Sequence, residues 1–521
     1  MKQTASKEAG QTSPKPVKPF PIKIRIPEMD ANGRPICREG FRIEEDSVGP
    51  LEIPETAYYG IESLRGALNF PITGHLMHPV FIRNLAKIKK ACAISNYVCQ
   101  VLNEERMQAI LQACDEVISG KLNRYFIVDE IQGGAGTSAN MNANEVIANR
   151  ASEILSGRIG DPSVVHPLDH VNRSQSTNDV YPTAGRLTAL DLMDELFPTL
   201  EELKSIFLDK SIEFAQVYKI GRTQLQDAVP MRLGQSFMAY AHAVDRDLKH
   251  LREAYQTMLT INLGGTAIGT SANAPSEYVR TVVPELSNVT GHPLRQAEDL
   301  IDATQNLSDF VFLSGAIKAA AVTLSKISND LRLLSSGPRA GFGEIKLPPV
   351  QNGSSIMPGK INPVIPEVVN QVCFAIVGND TTISMAVEAG QLELNAFEPV
   401  LFSRLFNSIY SLRTAIQTLS QHCVRDIEAR QDTITNLLNR SLYGATALSP
   451  KLGYDKSSAL AKKALLTNKS IREVALEEGL LTEEELDQLL DVRGMVLDQL
   501  EEIEKARRDE QKEDGVSPHR L

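Results

Sequence analysis

Hydrophobic residues recur at helical spacing along most of the chain. The clearest stripe advances by alternating steps of three and four residues through Phe310, Leu313, Ile317, Ala320, Leu324, Ile327, Leu331 and Leu334. No proline lies between Pro293 and Pro338, so this stripe predicts one helix of about 30 residues. A second stripe runs through Leu196, Leu200, Leu203, Phe207 and Phe214. A third helix is predicted to start at Pro366 and to carry Val369, Val372, Ile376 and Ile383 on one side.

These stripes predict an all-α fold built around a central bundle of long helices. Such helices bury their stripes most simply against copies of the same chain, so we expect a homo-oligomer. The 521 residues are predicted to begin with a flexible, basic, proline-rich arm (1–39) and to end with a charged tail (506–521). Between them we expect an N-terminal helical domain (40–174), a central long-helix bundle (175–432) and a small C-terminal helical domain (433–505). A capped helix is predicted to start at Thr482 in the C-terminal domain.

Composition and charge exclude several classes of function. The net charge of −11, an aromatic content of 5% and the absence of tryptophan argue against a nucleic-acid-binding protein. No run of about 18 apolar residues is present, so no membrane span is expected. The six cysteines show neither a CxxC pair nor zinc spacing. We therefore expect small buried thiols in a reducing, cytoplasmic environment.

Four polar, glycine-rich segments interrupt the helices and are the candidates for chemistry. They are segment one (133–142), segment two (170–179), segment three (221–227) and segment four (353–362). Each is rich in Ser, Thr and Asn or in related polar residues and precedes a predicted helix start, where exposed N–H groups attract anions. Lys360 would add one fixed cation. The pattern predicts a site for a small dicarboxylate, with segment four as a closing loop.

Other interpretations of these segments remain open at this point. Ser, Thr, Asn and Asp cap helices routinely, so the first two segments indicate caps as readily as ligand contacts. His170 is more typical of a structural loop histidine than of a catalytic one. Neither a P-loop nor a strand followed by GxGxxG is present, which argues against nucleotide binding, and no GxSxG elbow supports a serine hydrolase.

Segment four, read as GSSIMPGKIN, closely resembles the signature of the fumarase/aspartase superfamily, and the other segments follow in the expected order. The resemblance runs from about Phe41 to about Asp491. Within the superfamily the segments are most similar to the aspartases, because Thr177 and Gln224 stand where fumarases typically have Ser and His. Gln224 argues against a fumarase more strongly than it supports an aspartase.

The resemblance implies a three-domain subunit and a homotetramer with a core of twenty helices, in which three chains build each active site. It implies reversible deamination of L-aspartate to fumarate and ammonia through an aci-carboxylate intermediate. Ser354 occupies the position of the catalytic base. The implied substrate-binding residues are Thr137, Ser176, Thr177 and Ser355 on the developing charge, Lys360 and Asn362 on the α-carboxylate, and Asn178, Thr223 and Gln224 near the amino group.

Three alternatives to an aspartase remain: a fumarase, another lyase of succinyl compounds, and a non-enzymatic helical scaffold. Glu367 corresponds to an acidic residue that pairs with a histidine in fumarases. With Gln224 in the place of that histidine, Glu367 is equally well explained as a first-turn helix acid. No cofactor is required by these residues. Magnesium stays open as an activator at an unidentified site, and no role is assigned to residues 448–455.

Overall fold

The computed structural model describes residues 26–30 and 35–496. Within them the α-helices are α1 (Ile61–Asn69), α2 (Pro79–Val98), α3 (Glu104–Ile118), α4 (Thr137–Ser156), α5 (Thr177–Glu213), α6 (Leu233–Met258), α7 (Ser276–Thr290), α8 (Leu300–Gln305), α9 (Ser308–Leu334), α10 (Val364–Glu388), α11 (Glu398–His422), α12 (Gln431–Arg440), α13 (Tyr443–Leu452), α14 (Tyr454–Thr467), α15 (Ile471–Glu477), α16 (Glu483–Leu489) and α17 (Val492–Met495). The predicted tail and most of the predicted arm lie outside the described residues, and the proposed domain boundaries stay a prediction.

The strands of the described residues form only two-stranded ribbons, so the predicted all-α class is confirmed. They are β1 (Glu28–Met29), β2 (Pro35–Ile36), β3 (Phe41–Asp46), β4 (Gly49–Pro54), β5 (Tyr218–Thr223), β6 (Gln226–Arg232), β7 (Thr260–Ile261), β8 (Arg295–Gln296), β9 (Ile345–Lys346) and β10 (Glu428–Ala429). The pairs β1–β2, β3–β4, β5–β6 and β9–β10 are antiparallel, and β7–β8 is parallel.

The chain forms two compact units that interleave along the sequence. The first unit contains the described residues up to Asp191 together with Gln256–Val311 and Thr382–Phe406. The second unit contains Leu192–Tyr255, Phe312–Thr381 and the described residues from Asn407 onward. Segments one and two therefore belong to the first unit, and segments three and four belong to the second.

An aromatic cluster lies in the core of the first unit. The ring of Phe81 packs edge-on against Tyr181 with centroids 5.0 Å apart, and Phe402 lies 5.2 Å from Phe310 and stacks on Phe406 at 5.6 Å. All five side chains are buried. Because Tyr181 lies on the first turns of α5, this cluster fixes the helix end on which segment two is located.

The long stripe on α9 confirms the prediction made from its spacing. Every member from Phe310 to Leu331 is buried and Leu334 is half-buried. In the second unit, side chains from α5, α6, α9 and α11 meet around one small internal gap, including Leu203, Val244 and Leu324. By length and composition α9 could also cross a membrane. Its buried stripe, however, is equally typical of the core helix of a bundle.

The third long helix differs from the prediction at its start, because α10 begins at Val364 and not at Pro366. Pro366 fits inside the first turn, since the first four N–H groups of a helix have no intrahelical acceptor and a missing N–H costs nothing there. The predicted capped start at Thr482 is confirmed. Thr482 accepts a hydrogen bond from the Glu485 amide, and Glu485 accepts one from the Thr482 amide.

Candidate active site

Segment one is a tight glycine loop that ends at the first residue of α4. Gly134, Ala135 and Gly136 all have positive φ, and a Cβ at Gly136 would lie 2.4 Å from the Tyr181 ring. Glycine is therefore required at position 136 by both its backbone conformation and the close packing. The exposed Thr137 opens the helix, and its Oγ1 donates to the Gly134 carbonyl at 2.7 Å. Thr137 must rotate before its hydroxyl can donate to a ligand.

Segment two forms the N-terminal cap of α5. Ser176 Oγ accepts a hydrogen bond from the Asn178 amide at 3.2 Å, and Asp179 Oδ1 accepts one from the Ser176 amide at 2.9 Å. The capping interpretation of Ser176 is therefore correct. It does not exclude a ligand contact, because a hydroxyl oxygen that accepts an N–H keeps its own proton to donate.

A side-chain network brings segments one and two together. Asn140, one turn along α4 from Thr137, donates to Thr177 Oγ1 at 3.0 Å and to Asn172 Oδ1 at 3.2 Å. The fully buried Lys89 ammonium donates to Asn172 Oδ1 and to Gln175 Oε1, both at 2.9 Å. Burial lowers the pKa of Lys89 to about 8. A buried cation thus orients the polar side chains that precede α5.

The loop after β7 completes this network and was missed by the sequence analysis. Asp179 Oδ2 accepts hydrogen bonds from the Gly264 amide at 3.1 Å and the Thr266 amide at 3.0 Å. Asn178 Nδ2 donates to the Ala267 carbonyl at 2.7 Å. This bond uses one N–H of the Asn178 side chain and does not involve its second N–H or its amide oxygen. The glycine-rich run GGTAIGT at 264–270 was the available signal for this loop.

Asp179 is wholly buried, and burial raises its pKa to about 6. The amides of Ser176, Gly264 and Thr266 and the charge of Lys89 act in the opposite direction. Since a pKa near 6 still leaves the carboxylate ionised at neutral pH, Asp179 can accept all these N–H groups under ordinary conditions.

Segment three lies at the turn of the β5–β6 hairpin in the second unit. Gln224 and Leu225 occupy the two turn positions with φ of 53° and 62°. Two consecutive left-handed residues match the right-handed twist of the strands, although glycine or asparagine is the usual choice. The side chains of Thr223 and Gln224 are exposed at this tip.

Segment four is a loop closed at its base between β9 and α10. The Gly353 amide donates to the Lys360 carbonyl at 3.0 Å, and Asn362 Nδ2 donates to the Gly353 carbonyl at 2.7 Å. A Cβ at Gly353 would lie 2.4 Å from the Lys360 carbonyl oxygen, so this close approach requires glycine. Asn362 therefore has a structural contact in addition to the ligand contact that the resemblance implies.

Ser354 is the residue of this loop whose hydroxyl is best prepared for negative charge. Its Oγ accepts hydrogen bonds from the amides of Ile356 at 3.3 Å and Met357 at 3.0 Å. The side chains of Ser355 and Lys360 are exposed, and the Lys360 ammonium makes no ion pair within the described part of the chain. N–H groups aimed at a hydroxyl oxygen stabilise its deprotonated form, as a serine base requires.

Two other residues singled out in the sequence occupy positions that a structural role explains. Glu367 lies in the first turn of α10, as its helix-acid interpretation predicted. His170 Nδ1 accepts a hydrogen bond from the His166 amide at 2.8 Å, and burial is the main cause that lowers its pKa. Within residues 26–30 and 35–496, no cluster of three or more His, Cys, Asp or Glu side chains could hold a metal ion.

Comparisons with known proteins identify the chain's relatives. The family model described as Lyase matches residues 49–378, and the one described as Fumarase C C-terminus matches residues 445–496. An aspartate ammonia-lyase from Helicobacter pylori is 50% identical over 458 residues, which cover 88% of this chain and 98% of that protein.

Two solved structures share the fold over nearly their whole length. A fumarate lyase:delta crystallin from Brucella melitensis, bound to cobalt, is 48% identical with a TM-score of 0.85, covering 87% of this chain and 99% of that one. A class II fumarase from Schistosoma mansoni is 34% identical with a TM-score of 0.83, covering 87% and 98%.

The raised pKa of Asp179 predicts how the stability of the protein depends on pH. An unfolded Asp has a pKa near 3.8 and the folded one a pKa of about 6. Between these values the folded state holds a proton that the unfolded state has lost, so this group's contribution to stability falls as the pH rises. From pH 5 to pH 7 we expect the parent to lose about 1 kcal/mol of unfolding free energy relative to Asp179→Asn.

Urea denaturation of both proteins at several pH values, at one fixed protein concentration, measures this difference. Asp455→Asn is the matched control, because Asp455 is exposed at the start of α14 and its replacement removes one negative charge without changing a buried site. A parent that gains stability relative to Asp179→Asn over this range would show that the N–H groups and Lys89 outweigh burial.

Proposed function

The chain belongs to the Lyase family, and we propose that it is a carbon–nitrogen lyase that reversibly converts L-aspartate to fumarate and ammonia. The observation that carries this proposal is the signature loop with its Ser354 hydroxyl, which accepts two backbone N–H groups. The aspartate ammonia-lyase relative at 50% identity, against 34% for the fumarase structure, favours deamination over hydration.

The reaction must remove a proton from the carbon next to the β-carboxylate of L-aspartate. That carbon is weakly acidic, and the resulting aci-carboxylate carries two negative charges. Catalysis therefore depends on groups that bind this charge more strongly in the transition state than in the substrate. The pair of electrons left on carbon then forms the double bond of fumarate, and the amine departs as ammonia.

We assign the proton abstraction to Ser354. A free serine is a weak base, so its alkoxide needs local stabilisation. The amides of Ile356 and Met357 already point at Oγ, and closure of the loop over the substrate would exclude water and strengthen these contacts. A nearby ammonium from Lys360 would favour the alkoxide further.

The aci-carboxylate is proposed to bind at the starts of α4 and α5. Thr137 and Thr177 are the first residues of these helices, where unpaired N–H groups and the helix dipole favour an anion. Ser176 next to Thr177, and Ser355 in the signature loop, add hydroxyl donors. The bond from Asn140 to Thr177 Oγ1 leaves the Thr177 proton free to point at the substrate.

The remaining site residues are proposed to hold the other end of L-aspartate. Lys360 and Asn362 bind the α-carboxylate, since an exposed ammonium without an ion pair suits a compact anion. Thr223 and Gln224 at the hairpin tip, with Asn178, orient the amino group. Gln224 cannot take part in a proton relay with Glu367, and none is needed because the leaving amine is already protonated.

We also propose that the reaction needs no cofactor, because the donors named above can stabilise the intermediate without a metal. Magnesium stays an open activator. The subunits are proposed to work in the cytoplasm, where thiols stay reduced. Four of the six cysteines are buried, Cys99 is half-buried and only Cys37 is exposed, and none is bonded to another.

We propose that four chains assemble and that each active site combines segments from three of them. The long helices support assembly. On α10, opposite the buried stripe, Phe374 is 64% exposed and Met385 is 68% exposed, and Phe312 on α9 is 50% exposed. Large apolar side chains at helical spacing on a long helix are typical of an interface between subunits.

Turnover of L-aspartate tests the proposed function directly. Purified protein should release ammonia and produce fumarate absorbance with L-aspartate, in the presence of EDTA, and should add little water to fumarate. Fumarate formed from L-malate but not from L-aspartate would identify a fumarase instead. Loss of activity with EDTA, restored by a divalent metal, would contradict the cofactor-free reaction.

Replacing Ser354 by Ala should lower kcat by at least about a thousandfold, because the base is removed while the loop contacts of Gly353 and Asn362 remain. The dissociation constant of a non-reacting dicarboxylate such as succinate, measured by calorimetry, should change little. Turnover within tenfold of the parent would remove the assignment of Ser354 as the base.

Placing a charge on the exposed face of α10 should disrupt assembly. Phe374→Glu is expected to lower the mass in solution, measured by light scattering, from four chains to fewer, since a buried carboxylate without a partner is costly. The control Leu466→Glu changes a side chain that is 87% exposed on α14 and should leave the mass unchanged. A Phe374→Glu protein that keeps the parent's mass would show that this face is not in the interface.

Co-production of two inactive variants tests whether different chains share a site. A Thr177→Val chain and a Ser354→Ala chain are each expected to be inactive, yet mixed assemblies should regain about a quarter of the sites if subunits mix at random. Lys360→Ala with Ser354→Ala is the control, because both changes affect segment four and no intact copy is regained. Equal results for the two pairs would contradict shared sites.

A further inference from the structure

Glu344 is a fully buried carboxylate that contacts two cations. Its Oε1 accepts a hydrogen bond from Arg222 Nη1 at 2.7 Å, and its Oε2 lies 3.1 Å from Lys219 Nζ. Its side chain has no solvent exposure, and those of Arg222 and Lys219 are 11% and 6% exposed. All three belong to the second unit. Burial of a carboxylate without such partners is costly in free energy, so Glu344 depends on these two cations.

Both cations reach the same carboxylate although they lie three residues apart on β5. Alternate residues of a strand point to opposite faces, so residues 219 and 222 would normally diverge. The pairing of β5 with β6 shifts register between Ile220 and Arg222. The extra residue lies on β6, where Ala228 and Val229 together oppose Gly221 of β5, as in a β-bulge. Gly221 lies opposite this bulge, and a Cβ there would lie 2.9 Å from the Val229 carbonyl oxygen, so the close approach of the two strands favours glycine.

The segment that carries Glu344 is itself firmly held. The Glu344 amide donates to the Leu334 carbonyl at 2.9 Å, and its carbonyl accepts from the Arg430 amide at 2.9 Å. The ring of Phe342, two residues earlier, lies 4.2 Å from the Arg222 guanidinium. Arg222 is therefore held by a carboxylate and an aromatic ring from one anchored segment.

Arg222 directly precedes Thr223 and Gln224, which have no comparable support. The tip places Gln224 and Leu225 in the left-handed region, a conformation that persists only when its surroundings hold it. The nearest anchor along β5 is the contact of Arg222 with Glu344. A change in the position of Arg222 is thus transmitted to the tip through a single peptide.

We propose that Glu344 is a positioning residue that acts through Lys219 and Arg222 to hold Thr223 and Gln224 in place for the substrate's amino group. This inference rests on the proposed function for its effect on L-aspartate, whereas its effect on the hairpin is independent of any activity. Glu344 itself does not touch the substrate.

The test compares Glu344→Gln with Glu344→Asp and with a matched control. Glu428→Gln removes the ion pair of Glu428 with Lys346, which is exposed and lies on the neighbouring β9–β10 ribbon. In Glu344→Gln, hydrogen exchange in the peptide covering 218–232 should be about tenfold faster, and the KM for L-aspartate should rise by about tenfold or more with a smaller change in kcat. Glu344→Asp, which keeps the charge, should restore part of both quantities, and Glu428→Gln should match the parent.

Lys219→Met keeps the inference testable if Glu344→Gln does not fold, because it leaves the bond of Arg222 to Glu344 intact. It should accelerate exchange in 218–232 by less than Glu344→Gln does. Unchanged exchange in this peptide in every folded variant, or an equal effect of Glu428→Gln, would overturn the inference. A parent without turnover of L-aspartate would contradict the proposed function, while the exchange data would still decide the role of Glu344.

Discussion

The order of the first unit's polar segments depends on one buried carboxylate, Asp179, that accepts three backbone N–H groups. These come from Ser176 at the start of α5 and from Gly264 and Thr266 in a loop 85 residues away or more. A glycine-rich loop has many conformations to lose on folding. A buried acceptor can select one conformation of this loop. In any other conformation a buried N–H group would lose its partner, at a cost of about 1–3 kcal/mol for each group.

The second unit uses the same principle with side-chain donors. Glu344 accepts a hydrogen bond from Arg222 and forms an ion pair with Lys219 on the same hairpin, whereas Asp179 accepts from backbone groups. In the first unit the buried carboxylate directly follows Asn178, and in the second it contacts Arg222, which directly precedes Thr223. Neither carboxylate is assigned a contact with the substrate. The hydroxyls and amides assigned to the substrate are exposed or half-buried, and they carry no charge. A dianionic intermediate would meet donors near the surface and no carboxylate among the residues assigned to contact it.

The sequence predicted elements that depend on local spacing and missed contacts between distant residues. The α9 stripe was predicted because its residues repeat within one helix, and the four segments because Gly, Ser and Asn cluster locally. The predicted start of α10 differs from the observed start by two residues, because proline is compatible with several positions of the first turn of a helix. In the sequence Lys89 is one of several lysines on α2. No neighbouring residue indicates that its ammonium donates to Asn172, 83 residues later. Glu344 and Arg222 are 122 residues apart, so their pairing required the fold.

A serine that caps a backbone segment can also be available to a ligand, so the two interpretations do not exclude each other. Ser176 and Ser354 both accept backbone N–H groups through Oγ, as caps do, and each keeps one proton on that oxygen. For Ser176 the capping bond fixes the oxygen and leaves the proton available for the proposed hydrogen bond to an anion. For Ser354 the same kind of bond would lower the cost of losing the proton, which is the property that the proposed base requires. The geometry is shared, and the difference between the two proposed roles depends on which substrate group would face the hydroxyl: a growing negative charge for Ser176 and an acidic C–H for Ser354.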